Sequence, residues 1–153
     1  MGKTVITYGT FDMFHIGHLN LLRRLKTLGE RVIVAVSTDE FNQRKGKKML
    51  IPYDQRAAIV GAIDCVDLVI PEDSWEQKLR DVKEHDVQIF AIGDDWRGKF
   101  DFLEDLCEVV YLPRTKDIST TDLKRSLKRF LSIPQEDLSK AFEVLELLRQ
   151  DLE

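Results

Sequence analysis

The chain has 153 residues, of which 43% are apolar and two are cysteine. That length fits one domain with a sizeable core, and two cysteines are no disulfide framework, so their expected state is reduced and buried. The formal charge of −4 gives no general basic field for nucleic acid. No apolar run approaches the ~20 residues of a membrane span and nothing resembles a signal peptide, which makes the cytoplasm the expected compartment.

Residues 4–8 form a β-branched and aromatic run, a predicted strand that stops at Gly9. Thr10, Phe11 and Asp12 then lead into His15-Ile16-Gly17-His18, which opens a helix carrying Leu19, Leu22, Leu25 and Leu28 and stopping at Gly29. Two imidazoles at i and i+3 share one face of a helix N-terminus, where backbone N–H groups and the macrodipole favour a phosphate. Gly17 between them leaves room for a triphosphate to approach. A histidine pair at this spacing also occurs as plain surface or capping residues, or as zinc ligands. Zinc requires a third ligand. His85 lies far along the chain, and Cys65 and Cys107 sit in apolar segments that read as core strands.

Residues 31–37 are almost continuously apolar, as in a parallel strand covered on both faces. Residues 39–48 turn polar and basic, and the run Arg44-Lys45-Gly46-Lys47-Lys48 within them would ordinarily be a solvated loop. Such a cluster in an acidic chain suits a site where two anionic reactants meet and their repulsion must be offset. Pro52 begins a predicted helix through Ile63, residues 66–70 form a strand ending at Pro71, and residues 75–84 are helical in pattern. On that pattern alone Lys78 is a surface charge. Residues 87–92 form a strand closed by Gly93-Asp94-Asp95-Trp96, and residues 108–112 form the last strand, closed by Pro113. Alternating strands and helices predict a three-layer α/β domain with a mainly parallel sheet and right-handed crossovers. Ligands of such sheets bind beyond the carboxyl ends of the strands, where the histidine turn, the Gly93–Trp96 turn and the Arg114 loop all fall.

Arg114, Thr115, Lys116, Asp117, Ile118, Ser119, Thr120 and Thr121 precede a helical segment from Asp122 to Leu131. An arginine fork and hydroxyls at a helix start could cradle a second part of a polyphosphate, or form an ordinary cap beside a solvated arginine. Ser132-Ile133-Pro134-Gln135 has a capping-box pattern, and Leu138, Ala141, Phe142, Leu145, Leu148 and Leu152 make one apolar stripe. That stripe predicts a helix closing the core or a dimer seam, giving an expected division into a domain of residues 1–131 and a helical extension of residues 132–153.

With these residues in place, the chain resembles the glycerol-3-phosphate cytidylyltransferases, small members of the HIGH-motif nucleotidyltransferase superfamily. The resemblance runs through residues 5–12, the His15–His18 motif, residues 37–42, Trp75-Glu76-Gln77-Lys78, Gly93–Trp96, residues 98–102, residues 107–115 and Ile118-Ser119-Thr120-Thr121. It covers about residues 3–129. The histidine motif alone marks the superfamily, and Arg114-Thr115 with Ile118–Thr121 points to cytidylyl transfer.

The resemblance implies a Rossmann-like nucleotidyltransferase fold, to which this chain adds a C-terminal helix, together with a homodimer and conversion of CTP and sn-glycerol 3-phosphate to CDP-glycerol and pyrophosphate with Mg²⁺. The product would feed teichoic acid or a related surface polymer. Thr10, Phe11, His15, Ile16, Gly17, His18, Lys47 and the segment Arg114, Thr115, Ile118, Ser119, Thr120 and Thr121 would contact the nucleotide, which Asp95 would face. Lys45 and Lys78 would meet the glycerol phosphate, and Asp12 would lie close to the reacting groups. The reaction would be direct in-line attack of a phosphate oxygen on the α-phosphorus, with His15, His18 and Lys45 stabilising the charge that develops. Two alternatives stay open: a sister enzyme for ethanolamine or choline phosphate, and a regulator that binds nucleotide without turnover. The chain departs from the family pattern in its tail and at Arg44 and Gly46.

Overall fold

The computed structural model describes residues 2–116 and 118–152. Its elements follow the order β1 (Thr4–Gly9), α1 (Ile16–Leu28), β2 (Arg31–Ser37), α2 (Asp39–Arg44), α3 (Tyr53–Gly61), β3 (Leu68–Glu72), α4 (Gln77–Glu84), β4 (Ile89–Gly93), β5 (Glu108–Leu112), α5 (Thr120–Leu131) and α6 (Gln135–Asp151). Single 3-10 turns at Asp94–Trp96 and Asp101–Leu103 lie between β4 and β5.

The five strands form one sheet in the order β3-β2-β1-β4-β5, and every pair is parallel. The strand order reverses between β1 and β4, so the crevice beyond their carboxyl ends is the place where such a sheet binds ligands. Alternate residues of the central strands feed two cores. Val5, Val32, Val34 and Val36 pack with Leu22 and Leu25 of α1 and Val60 of α3. Ile6, Tyr8, Ile33 and Phe90 pack with Val82 of α4 and with Phe100 and Leu103. Burial of both faces explains why β2 reads as an unbroken apolar run.

Four sequence expectations are corrected. Arg44, the first residue of the basic run, closes the helix α2 and does not lie in the loop, because Thr38 starts that helix through Oγ1, which accepts from Phe41 N–H at 3.2 Å. β3 runs past Pro71 to Glu72, because it is an edge strand where proline is tolerated. Cys65 and Cys107 are buried and free, but they stand in the turns that lead into β3 and β5 instead of in strands. Ser132 does not cap α6. It closes α5, its hydroxyl donating to Arg129 O at 2.8 Å, while Pro134 holds the α6 N-cap position.

By its contacts the chain forms two compact units, an α/β unit through Ile118 and a helical unit from Ser119 that holds α5 and α6. In the second unit Phe142, Leu145, Leu148 and Leu152 are all more than half exposed, so the stripe on α6 buries none of these side chains.

Candidate active site

The turn after β1 is built under strain. Phe11 and Met13 both hold positive φ, at 54° and 53°, a conformation that non-glycine residues adopt at a cost of about 1–3 kcal/mol each. Buried interactions hold the turn in place. Phe11 is buried beneath the His18 ring at 5.3 Å, and the buried Asp12 carboxylate accepts the N–H groups of Leu50 and Ile51 at 3.0 Å each. Asp12 thereby ties the residues ahead of α3 to the β1 turn.

His15 is the N-cap of α1, and the two histidines close a reciprocal capping box. His15 Nδ1 accepts from Gly17 N–H at 3.0 Å, while His15 N–H donates to His18 Nδ1 at 3.2 Å. A ring nitrogen that accepts an N–H carries no proton, so each neutral imidazole keeps its proton on Nε2. Burial pushes the His15 pKa down and the His18 pKa to about 4, the His15 ring adding to the second shift and Asp12 opposing it. Both rings are therefore neutral donors near pH 7, and they stack 3.9 Å apart between centroids. Gly17 serves this geometry directly: an added Cβ would lie 2.7 Å from His15 Cε1 and 2.9 Å from Nδ1. Gly17→Ala is accordingly expected to cut turnover by about tenfold or more while leaving the fold, since the ring must rotate off its cap; parallel kinetics and thermal melts check this.

The segment after β5 comes to this helix. Thr115 Oγ1 accepts from Asn20 Nδ2 at 3.2 Å, Arg24 donates to Pro113 O, and Ile118 Cγ2 lies 3.4 Å from the Cβ position of Gly17. Arg114 pairs with Asp95 of the turn after β4 at 2.8 Å, both half exposed. Arg114, Thr115, Ile118 and Asp95 thus gather with the histidine pair at the carboxyl ends of β1, β4 and β5. In the helical unit Ser119 caps α5, its Oγ accepting from Asp122 N–H at 3.0 Å, with Thr120 and Thr121 in the first turn. Ile16 is exposed at the start of α1, and Thr10 Oγ1 donates to Asn42 Oδ1 at 3.2 Å.

Beyond β2 and β3 lies a cationic cluster of a different kind. Lys78 is 1% exposed, so the surface reading of its helix pattern is wrong for this position. Its Nζ donates to Glu72 Oε2 at 2.7 Å, and Glu72 Oε1 accepts from Ser37 Oγ at 2.5 Å and lies 4.0 Å from Lys45 Nζ. Burial pulls the Lys45 pKa down to about 8, with Glu72 opposing that shift and Lys47 and Lys78 adding to it. Lys47 itself is exposed, past Gly46 at φ 75°.

Arg56 and Glu72 were not legible as site residues from motifs. Arg56 is fully buried and donates to Ile51 O at 2.8 Å, Thr10 O at 2.7 Å, Ser37 O at 2.8 Å and Asp39 Oδ1 at 2.7 Å. One guanidinium so ties the ends of β1 and β2 to the residues ahead of α3. Its signal was an arginine between Tyr53 and Val60 on the apolar stripe of a helix. For Lys78 the comparable signal was Val82 one turn on.

Known proteins share both sequence and fold with this chain. The cytidylyltransferase-like family model matches residues 6–126. A glycerol-3-phosphate cytidylyltransferase of Bacillus spizizenii is 58% identical over 125 residues, covering 82% of this chain and 97% of its own length. Its Staphylococcus aureus counterpart is 56% identical, covering 82% and 95%. The solved structure of a lipopolysaccharide core biosynthesis protein from Thermoplasma volcanium superposes with a TM-score of 0.64 over 76% of this chain and all of its own, at 23% identity, a likeness of fold alone. The all-parallel sheet, with a histidine-capped helix at its switch point, defines a Rossmann-like domain of the nucleotidyltransferase type. The chain belongs to the cytidylyltransferase-like family and, within it, to the glycerol-3-phosphate cytidylyltransferases.

Proposed function

We propose that this enzyme joins CTP and sn-glycerol 3-phosphate to give CDP-glycerol and pyrophosphate, as the names of its relatives indicate. Within the structure, the observation that supports this best is the reciprocal capping of His15 and His18. It leaves two neutral Nε2–H donors at a helix N-terminus, beside the point where the strand order reverses.

A phosphate monoester is already anionic near neutral pH, so no enzyme nucleophile is needed. One oxygen of glycerol 3-phosphate attacks the α-phosphorus, a new P–O bond forms, and the bond to pyrophosphate breaks in line with it. In this reading His15 and His18 donate to the α-phosphoryl oxygens, while Thr10, Phe11, Ile16, Gly17 and Thr115 shape the nucleotide pocket. In the same reading Arg114, Ile118, Ser119, Thr120 and Thr121 also serve the nucleotide, with Lys47 and Asp95. Lys45 and Lys78 draw the acceptor phosphate. Asp12 acts as a positioning residue, since it fixes the residues that precede α3.

Mg²⁺ belongs to this reading as a companion of CTP. Among the described residues no group of three His, Cys, Asp or Glu side chains could hold a metal. A magnesium ion that accompanies a nucleotide is carried chiefly on phosphate oxygens and water. When bound, it would offset charge on the triphosphate. The reading also includes a cytoplasmic homodimer, whose product supplies glycerol phosphate for teichoic acid or a related surface polymer. Among the described residues no helix is long and apolar enough to cross a membrane.

Coupled pyrophosphate release from CTP with a panel of alcohol phosphates tests the reaction: glycerol 3-phosphate should be the best acceptor. CTP binding without turnover of any acceptor would instead support a regulator. The Lys45 ammonium adds a pH signature, because it carries its charge below about pH 8 and loses it above. The KM for glycerol 3-phosphate should therefore rise about tenfold between pH 7 and 9 while the KM for CTP changes little. Equal drift of both constants would remove Lys45 from the acceptor site.

A further inference from the structure

Two ammonium groups fill an aromatic box next to the carboxyl end of β3. Lys78 Nζ lies 4.4 Å from the Tyr8 ring centre, 4.9 Å from Trp75 and 5.4 Å from Phe100. Lys45 Nζ lies 4.2 Å from Phe41 and 5.2 Å from Trp75. All five distances fall within the ~6 Å over which an aromatic face attracts a cation. Rings in this arrangement, with a carboxylate among them, are the apparatus that binds substituted ammonium ligands. Here the chain supplies its own occupants.

Glu72 holds them. It is 3% exposed, bonded to Lys78 at 2.7 Å and to Ser37 at 2.5 Å, with Lys45 at 4.0 Å. The walls are fixed too: the Tyr8 hydroxyl donates to Asp81 Oδ2 at 2.7 Å, and Gln77 Nε2 donates to the same oxygen at 2.9 Å. Lys78 is the inner cation. Lys45, with 13% of its side chain exposed, is the outer one.

We propose that this box sets acceptor specificity: Lys45 and Lys78, held by Glu72 against the rings, admit phosphate esters of uncharged alcohols and reject esters whose alcohol carries an ammonium. The inference rests on the cytidylyl-transfer reading and adds which acceptors are turned away and by what. Glu72 faces two ammoniums, and the other buried carboxylate, Asp81 in the wall, pairs with Arg80 at 3.4 Å, so the box is short of negative charge, which a phosphate monoester of an uncharged alcohol supplies. Phosphocholine or phosphoethanolamine would bring a further cation to faces already taken. Lys78 and Glu72 are thereby specificity-determining residues, Glu72 acting through the lysines it positions.

The test measures kcat/KM for glycerol 3-phosphate, phosphocholine and phosphoethanolamine by pyrophosphate release, in the native chain, in Lys78→Met and in Glu72→Gln/Lys78→Met. The native chain should favour glycerol 3-phosphate strongly over both cationic esters. Lys78→Met should narrow that preference by about tenfold or more, with the KM for CTP held within about twofold. The double variant removes both members of the buried Lys78–Glu72 pair, so that neither is left without the other, and thermal melts of the two variants check that the fold is kept. The double variant should narrow the preference less than the single one, because the carboxylate that faces the new cation is gone. An unchanged preference in Lys78→Met, or in the double variant if the single one does not fold, overturns the proposal. So does equal narrowing in both variants, or a native chain indifferent to the charge on the alcohol. Absence of pyrophosphate release with glycerol 3-phosphate in the native chain defeats the transfer reading itself, which is a separate result.

Discussion

His18→Ala is expected to lower kcat by about 10²–10³, or ~3–4 kcal/mol of transition-state stabilisation, with the KM for CTP changed far less. The reason lies in the capping box. Because His18 Nδ1 accepts the His15 N–H, its only proton is on Nε2, and the low pKa of about 4 keeps it there throughout the neutral range. Alanine removes that donor from a site where charge accumulates only as the reaction proceeds. His15→Ala carries a second loss, since His15 Nδ1 also caps α1 through Gly17 N–H, and a lost cap costs about 1 kcal/mol. His15→Asn separates the two effects. Asparagine can accept the Gly17 N–H but cannot place a donor where Nε2 stands, so its melting temperature should stay near the native value while its kcat falls as in His18→Ala. Retention of near-native turnover by His18→Ala and His15→Asn together would remove the pair from the chemistry.

Arg56→Met should have the largest effect on stability, about 3–5 kcal/mol by urea denaturation. Methionine fills most of the aliphatic stem, so the loss isolates the guanidinium. Three backbone carbonyls, those of Thr10, Ser37 and Ile51, would lose their arginine donor at once. Asp39 is half exposed and partly compensated by Tyr53 N–H at 3.0 Å, which is also the main reason its carboxyl sits below the usual range. Its share of the loss is small. A change under about 1 kcal/mol would mean that water replaces the arginine without cost, and that the ends of β1 and β2 are held by something else.

The sheet was legible because each strand is short, β-branched and punctuated by glycine or proline, and because burial on both faces makes β2 uniformly apolar. The histidine turn was legible for a related reason: strand, turn and helix start coincide there, and each has a local chemical signature. What escaped was long-range. Nothing local says that the carboxylate of Glu72 meets Lys78, six residues later on a helix, or that Arg56 reaches back to the β1 turn. Lys78 reads as solvated because helical patterning treats charge as exposed, and only the tertiary fold supplies its carboxylate and rings. Pro71 misled for the opposite reason. Its lack of an N–H ends an internal strand but not an edge strand, and edge position is a property of the whole sheet. The α6 capping pattern failed because Ser132 already closes the preceding helix, so one hydroxyl had two local uses and the backbone settled which.

The central claim is that the chain holds two anionic reactants across one phosphorus and contributes no nucleophile of its own. The stereochemical course at the α-phosphorus tests it most directly, using CTP with a chiral α-thiophosphate and sn-glycerol 3-phosphate, with the configuration of the product read by phosphorus NMR. A single in-line displacement predicts inversion. Retention would require two displacements through a cytidylyl group bound to the enzyme, and would contradict the account.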